Sequence, residues 1–148
     1  MSFKGGFISA DQSHSGIIES LSDDLLKLGN KIGALTSFVG IVRETSDSEE
    51  KGVVGMEVEH WEQKGESTMT EIAEVLGEKY GLLGVRIYHV FGKLKLGDPI
   101  VFVVLASEHR KEAFEALDEA VHLYKTKSPV WKKEIYEDET DKWIFTGS

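Results

Sequence analysis

Hydrophobic residues recur along the chain at two spacings, and the order of those spacings predicts the fold. Apolar stripes with a period near 3.6 predict helices over residues 15–28, 67–80 and from Ser107 to about Pro129. Alternating or continuous apolar runs predict strands at 2–9, 33–43, 53–61, 84–91 and 99–107, and a final hairpin of 130–136 with 142–146. The order βαββαββαββ favours an α+β fold, with a mixed or antiparallel sheet and about three helices, over a doubly wound parallel sheet.

Local signals refine several of these elements. Residues 99–107 (PIVFVVLAS) are apolar on both faces and predict a central strand. Ser67 and Gly81 are expected to cap the second helix, and Ser107 the third, with Glu108 in its first turn. Residues 44–52 (ETSDSEEKG) contain four acids and no large apolar side chain, so we expect a mobile loop without an anchor in the core.

Composition excludes several classes of chemistry. The 148 residues fit one domain, 1–148, with 41% hydrophobic residues and no cysteine. Disulfides, thiolate metal sites and cysteine nucleophiles are thereby excluded, and any sulfur chemistry must use sulfur from elsewhere. No histidine pair has metal-ligand spacing, and the dinucleotide and P-loop motifs are absent, so neither a metal nor a cofactor is expected.

The first residues lack a basic region followed by an apolar core, and no run approaches the roughly 20 apolar residues of a membrane helix. We therefore expect a cytoplasmic protein without membrane contact. The net charge of −9 also argues against binding nucleic acid, because the long-range field has the wrong sign.

One basic segment stands out in this acidic chain. Residues 121–133 (VHLYKTKSPVWKK) contain no acid and four lysines, Lys125, Lys127, Lys132 and Lys133. Lysines at the end of a helix also complement its dipole, which is a purely structural explanation. Pro129 and the aromatic residue Trp131 should nevertheless fix the turn between the lysine pairs, which favours a binding site for an anion.

Two further cationic positions extend this hypothesis. His109, Arg110 and Lys111 open the third helix, where free backbone N–H groups bind phosphate and cations otherwise oppose the dipole. Arg43 ends a strand beside the acidic loop. The three cations at the start of the helix could instead form a solvated first turn. Arg43 could instead be an ordinary surface charge.

Three ordered motifs resemble the large, catalytic subunit of molybdopterin synthase. They are GALTSFVGIVR (33–43), GKLKLGDPIVFVVLASEHRKEAFEA (92–116) and YKTKSPVWKKE (124–134), and the similarity extends from about residue 31 to 145. The resemblance implies an α/β-hammerhead-like fold and an enzyme that converts cyclic pyranopterin monophosphate to molybdopterin. It also implies that sulfur comes from the thiocarboxylated C-terminal Gly-Gly of a small ubiquitin-like subunit, and that the large subunit is a homodimer. The chain departs from the family pattern at residues 62–67 (EQKGES), directly after EVEHW (57–61). The contacts of this loop therefore stay open.

The resemblance also assigns roles by motif. It makes Lys125 and Lys132 the catalytic lysines. Of the two, we prefer Lys125 as our own hypothesis for any covalent link to the substrate or the tail. Substrate-binding positions that it implies are Arg43, His109, Arg110, Phe38, Lys133 and Glu134. Two alternatives stay open at this point: a non-catalytic module that binds an acidic peptide tail or a nucleotide, and a purely structural subunit.

Overall fold

A computed structural model describes residues 1–12 and 14–144. Seven strands and three helices follow one another in the predicted order. The strands are β1 (Phe3–Ser9), β2 (Ala34–Ile41), β3 (Val53–His60), β4 (Gly84–Lys95), β5 (Pro99–Ser107), β6 (Val130–Tyr136) and β7 (Asp141–Ile144). The helices are α1 (Ile17–Leu26), α2 (Gly65–Tyr80) and α3 (Arg110–Lys127).

All seven strands belong to one sheet. Its order is β2-β5-β4-β3-β6-β7, and β1 pairs with β4 off this path. The β1–β4 pair is parallel and every other pair is antiparallel. The predicted α+β class with a mixed sheet and three helices is therefore confirmed. The assignment of all of 1–148 to one domain stays a prediction, because residue 13 and residues 145–148 lie outside the described part.

The strand predicted to be central lies in the interior of the sheet. β5 has β2 on one side and β4 on the other, and its residues from Ile100 to Ser107 are all buried. Helices cover both of its faces, since α1 and α3 each contact it. The β5 side chains thus supply much of the main hydrophobic core, together with α2 residues such as Met69 and Leu76.

β4 is longer than predicted. Its first part pairs with β1 and β5, and Gly92–Lys95 continues the strand by pairing with β3. Gly92 has φ of +110°, a conformation that glycine adopts readily, at the point where the partner changes. The segment expected to be a loop after residue 91 is therefore mostly strand, and the true turn is Leu96–Asp98.

Helix starts differ from the predictions, whereas one helix end agrees. α2 begins two residues before Ser67, whose hydroxyl donates to the Lys64 carbonyl. Gly81 ends α2 in the left-handed conformation, as expected. Ser107 belongs to β5 instead of capping α3, and His109 is the N-cap, with its backbone N–H donating to the Glu112 carboxylate.

The remaining described ends lie within two residues of the predicted ones, and β5 and β6 match at both ends. α1 spans Ile17–Leu26 and is shorter than the predicted 15–28. The predicted β7 reached residue 146, and positions 145–146 lie outside the described residues. Across 1–12 and 14–144, no helix is long and apolar enough to cross a bilayer.

Candidate active site

A cavity of about 300 Å³ opens where the ends of β2 and α3 face β6. The sheet curls, so that β2 and β6 contribute to one cavity although three strands separate them in the sheet order. Five of the residues predicted for the site line this cavity: Phe38, Arg43, Lys125, Lys132 and Glu134. Its other walls are Gly40, Ile41, Val42, Thr45, Asp47, Ser48, Met56, Ile100, Tyr124 and Ile144.

Lys132 is the most strongly perturbed cation of the cavity. Burial, with the Lys125 ammonium as the second cause, lowers the pKa of Lys132 to about 8. Its Nζ lies 5.7 Å from the centroid of the Tyr124 ring, within the range of a cation–π contact. A larger fraction of Lys132 than of an exposed lysine is therefore neutral near pH 7, which makes the amine available for proton transfer.

Lys125 reaches the same cavity from the last turn of α3. This turn is held by Ser128, whose backbone N–H donates to the Tyr124 carbonyl, and by Pro129, which prevents the helix from continuing. Among the described residues, neither Lys125 nor Lys132 has an ion-pair partner. Two unpaired ammonium groups side by side favour a bound anion.

Glu134 is the buried carboxylate of the cavity, at 8% exposure. Its Oε1 accepts hydrogen bonds from the Ser46 hydroxyl at 2.7 Å and the Tyr136 hydroxyl at 2.9 Å. The bond from Ser46 ties the acidic loop 44–52 to β6. The expectation that this loop lacks an anchor is thus wrong, because a polar bond to a buried carboxylate holds it where apolar packing does not.

Arg43 leaves the sheet at the end of β2. The preceding residue, Val42, donates its N–H to Asp98 and accepts from the Gly97 N–H, both at 2.9 Å, so the β4–β5 turn fixes this chain end. The guanidinium itself is exposed and pairs with Asp47 at 2.9 Å. Since exposed ion pairs are weak, a substrate anion can replace Asp47 at little cost.

Lys133 does not line the cavity. Neighbouring strand residues point to opposite faces, and Lys133 lies on the face of β6 away from Lys132 and Glu134. There its ammonium pairs with Glu57 at 3.2 Å and lies over the Trp143 ring. The structure therefore does not support the predicted contact of Lys133 with substrate in this cavity.

His109 and Arg110 are also absent from the cavity of this chain. They occupy the start of α3, whereas Lys125 occupies its end. The separation of fifteen positions between Arg110 and Lys125 corresponds to about 22 Å along the axis, at a rise of 1.5 Å per residue. One chain therefore does not bring Arg110 to the lysines.

Sequence reasoning missed two polar groups, Tyr124 in the cavity wall and Ser46, which donates to the cavity residue Glu134. Tyr124, which opens the third motif and received no role from it, lines the cavity and faces Lys132. Ser46 was hidden in a segment whose composition indicates only a loop. Among the described residues no group of three or more potential ligands could hold a metal ion.

The fold and the cavity define a class of protein: an α+β domain that gathers lysines from a helix end and a strand into one cavity. Comparison with known proteins identifies the family. The family described as MoaE protein matches residues 13–127, more than half of the chain. A molybdopterin synthase catalytic subunit from Pseudomonas aeruginosa is 44% identical over 103 residues, covering 70% of this chain and 67% of that protein.

Two further relatives agree. The molybdopterin synthase catalytic subunit of Vibrio cholerae is 36% identical over 121 residues, covering 82% of this chain and 79% of that protein. The solved structure of the molybdopterin biosynthesis MoaE protein from Burkholderia ambifaria superposes with a TM-score of 0.77 at 30% identity, covering all of this chain and 92% of that one. This chain belongs to the MoaE family of molybdopterin synthase catalytic subunits, which are sulfur-transfer enzymes of molybdenum cofactor biosynthesis.

Proposed function

We propose that this chain transfers sulfur to cyclic pyranopterin monophosphate and so forms molybdopterin. The sulfur comes from the thiocarboxylated C-terminal Gly-Gly of a small ubiquitin-like subunit. The observation that carries this function is the cavity in which Lys125, Lys132 and Arg43 meet in a chain with net charge −9. Because the chain has no cysteine, its sulfur must arrive on another molecule, and a thiocarboxylate tail is an anion that such a cavity attracts.

Arg43 is proposed to bind the substrate phosphate. Its guanidinium offers a planar pair of donors suited to phosphate oxygens, at the mouth of the cavity. Phe38 supplies an apolar wall beside it, and its ring lies 6.3 Å from that of Tyr124. This arrangement places a phosphate near solvent and an apolar ring system deeper inside.

The lysines are proposed to act on the acyl carbon of the tail. The thiocarboxylate sulfur first bonds to a carbon of the substrate while the bond from that carbon to an oxygen breaks and the oxygen leaves with the electron pair. A thioester then joins tail and pterin. Water then adds to the carbonyl carbon of this thioester, and the bond between that carbon and sulfur breaks. The tail leaves as a carboxylate, the sulfur stays on the pterin as a thiolate, and two protons are released. The ammonium of Lys125 stabilises the oxyanion of this step, and Lys132, with a pKa of about 8, accepts a proton from water.

A covalent link between the tail and a lysine is an alternative for part of this sequence. The sequence-based hypothesis preferred Lys125 for that link, and this stays a prediction. Such a link requires a neutral amine, and the lowered pKa belongs to Lys132. Trapping the linked species, followed by peptide mapping, distinguishes the two lysines.

Turnover is the direct test of the function. The chain is incubated with thiocarboxylated small subunit and cyclic pyranopterin monophosphate, and the dithiolene product is measured. Lys125→Ala should abolish product while the small subunit still binds. Lys127→Ala is the matched control, because Lys127 is an exposed lysine of the same helix end outside the cavity, and it should keep full activity.

The rival hypothesis, a non-catalytic module for an acidic tail or a nucleotide, predicts anion binding without turnover. Product formation by the wild-type chain excludes it. Full activity of Lys125→Ala would remove Lys125 from the mechanism. A cytoplasmic location stays a prediction, which cell fractionation tests.

His109 and Arg110 are proposed to serve the cavity of a second copy in the expected homodimer, since they cannot reach the cavity of their own chain. Mixing Lys125→Ala chains with Arg110→Ala chains should then restore part of the activity, because one cavity of the mixed dimer has both groups intact. Activity that stays at the level of the separate variants would contradict this arrangement.

A further inference from the structure

The side chain of Tyr124 is buried beside the lysines of the cavity. It precedes Lys125 on α3, and its ring lies below the Lys132 ammonium at 5.7 Å from Nζ to centroid. The residue is only 4% exposed, yet it lines the cavity. Tyr124 therefore contacts the cavity through a small part of its side chain.

Packing fixes the direction of this ring. Phe38 lies on one side, with centroids 6.3 Å apart and the planes tilted by 38°. The fully buried His89 meets it edge-on at 6.0 Å, and His89 is itself held by a 2.9 Å bond from Nδ1 to the Val90 carbonyl. A ring held by two others needs little reorganisation when a ligand binds.

The hydroxyl of Tyr124 is the unused part of this arrangement. No described residue forms a hydrogen bond with it, whereas Tyr136, the other tyrosine near the cavity, donates to Glu134. The hydroxyl is also not sealed from solvent, unlike the unpartnered Nε2 of His89. A polar group that is oriented, unbonded and open to a cavity is available to a ligand.

We infer that the Tyr124 hydroxyl is a catalytic hydrogen-bond donor, which binds the acyl oxygen of the sulfur-donating tail beside the Lys132 ammonium. This inference rests on the proposed sulfur transfer. The hydroxyl donates its hydrogen bond as negative charge develops on that oxygen and keeps its proton throughout. Tyrosine hydroxyls serve as oxyanion donors in this manner, and a neutral donor adds stabilisation where Lys132 is partly deprotonated.

Burial gives the phenol the properties that the role requires. It raises the pKa of Tyr124 to about 12, so the hydroxyl stays protonated at neutral pH. Lys132, with its lower pKa, is the group that exchanges protons. The two neighbours are therefore suited to different tasks, one to donate a hydrogen bond and the other to move a proton.

The test is Tyr124→Phe in the reconstituted enzyme, with thiocarboxylated small subunit and cyclic pyranopterin monophosphate. The change removes one oxygen and keeps the ring, so the contacts with Phe38, His89 and Lys132 remain. We expect kcat to fall about 10- to 100-fold, with KM and thermal stability nearly unchanged. The pH profile should keep its rise with increasing pH near the pKa of Lys132 and lose height at every pH, since Lys132 still titrates.

Tyr88→Phe is the matched control, because it removes a hydroxyl on β4 away from the cavity and should leave kcat unchanged. An unchanged kcat in Tyr124→Phe overturns the inference, and so does a rise in KM alone. A shifted pH profile also overturns it, because it would show that Tyr124 acts through Lys132. If the wild-type chain itself forms no product, the proposed function fails instead, so the two failures are distinguishable.

Discussion

Replacing Lys132 with methionine should stabilise the fold at neutral pH while abolishing activity. Burial and the Lys125 ammonium lower the pKa of Lys132 from 10.5 to about 8, so the folded state disfavours the charged amine. At 1.36 kcal/mol per pKa unit this difference corresponds to about 3 kcal/mol of lost stability below pH 8. Methionine has a similar length, carries no charge and fills the same space.

The net gain is smaller than this penalty. The contact between Lys132 and the Tyr124 ring contributes about 0.5–1 kcal/mol, and methionine loses it. We therefore expect Lys132→Met to gain about 2 kcal/mol at pH 7. For a chain of this length that gain corresponds to a rise in Tm of about 4–8 °C.

The pH dependence supplies the refutation. A lysine with a lowered folded-state pKa binds fewer protons folded than unfolded between pH 8 and 10.5, so wild-type stability rises with pH across that window. The advantage of Lys132→Met, measured by urea denaturation, should shrink from pH 7 to pH 10.5. Lys127→Met, at an exposed position, should change stability by less than about 0.5 kcal/mol. A variant less stable than wild type at pH 7, or an advantage independent of pH, would show that Lys132 is not destabilised by burial.

Three other changes test separate contacts. Asp47→Asn frees the Arg43 guanidinium from its ion pair. Since an exposed ion pair contributes about 0.2–1 kcal/mol, the KM for the pterin in steady-state kinetics should fall by up to about fivefold. A higher KM would contradict the proposed role of Arg43. Ser46→Ala removes the hydroxyl that donates to Glu134, so amide hydrogen exchange of residues 44–52 should become faster. Unchanged exchange would show that this hydrogen bond does not hold the loop. Arg86→Ala removes a buried guanidinium that donates hydrogen bonds to the Met1 and Ser2 carbonyls and to the Asp24 carboxylate. The free energy of unfolding, measured in urea, should fall by about 3 kcal/mol or more. A loss below about 1 kcal/mol would contradict that role.

The order of helices and strands was predictable because burial determines the spacing of apolar residues along each element. A strand buried on both faces, such as β5, shows an unbroken apolar run, and an amphipathic helix shows a stripe. The ends were less predictable, because they depend on partners distant in sequence. Gly92–Lys95 continues β4 only because β3, more than thirty residues earlier, pairs with it.

The predicted set of site residues contained one inconsistency that the sequence could already have shown. Lys132, Lys133 and Glu134 were all assigned to one pocket, although a strand was predicted for the same residues. Consecutive strand residues cannot face one pocket, and the structure places Lys133 on the other side. Because side chains alternate between the two faces of a strand, the predicted strand already places Lys133 on the face opposite Lys132 and Glu134.

Other features of the site have no local signature. The bond between Ser46 and Glu134 joins residues 88 positions apart, and nothing in the acidic loop distinguishes Ser46 from the neighbouring Ser48. Likewise the distance of Arg110 from Lys125 follows from where α3 begins and ends. The motifs identified which charges matter, and only the packing decided which of them share one cavity.

Stability and catalysis oppose each other at the ammonium of Lys132. The fold would gain if this group were apolar, because no described carboxylate pairs with it and the second ammonium, that of Lys125, repels it. The same burial and repulsion lower its pKa towards neutrality, which a proton-transferring amine requires. An acid beside Lys132 would relieve the fold, and it would also restore the permanent charge and compete with the anionic tail. The unpaired state of Lys132 is therefore the feature of this cavity that is hardest to explain by folding alone and simplest to explain by sulfur transfer.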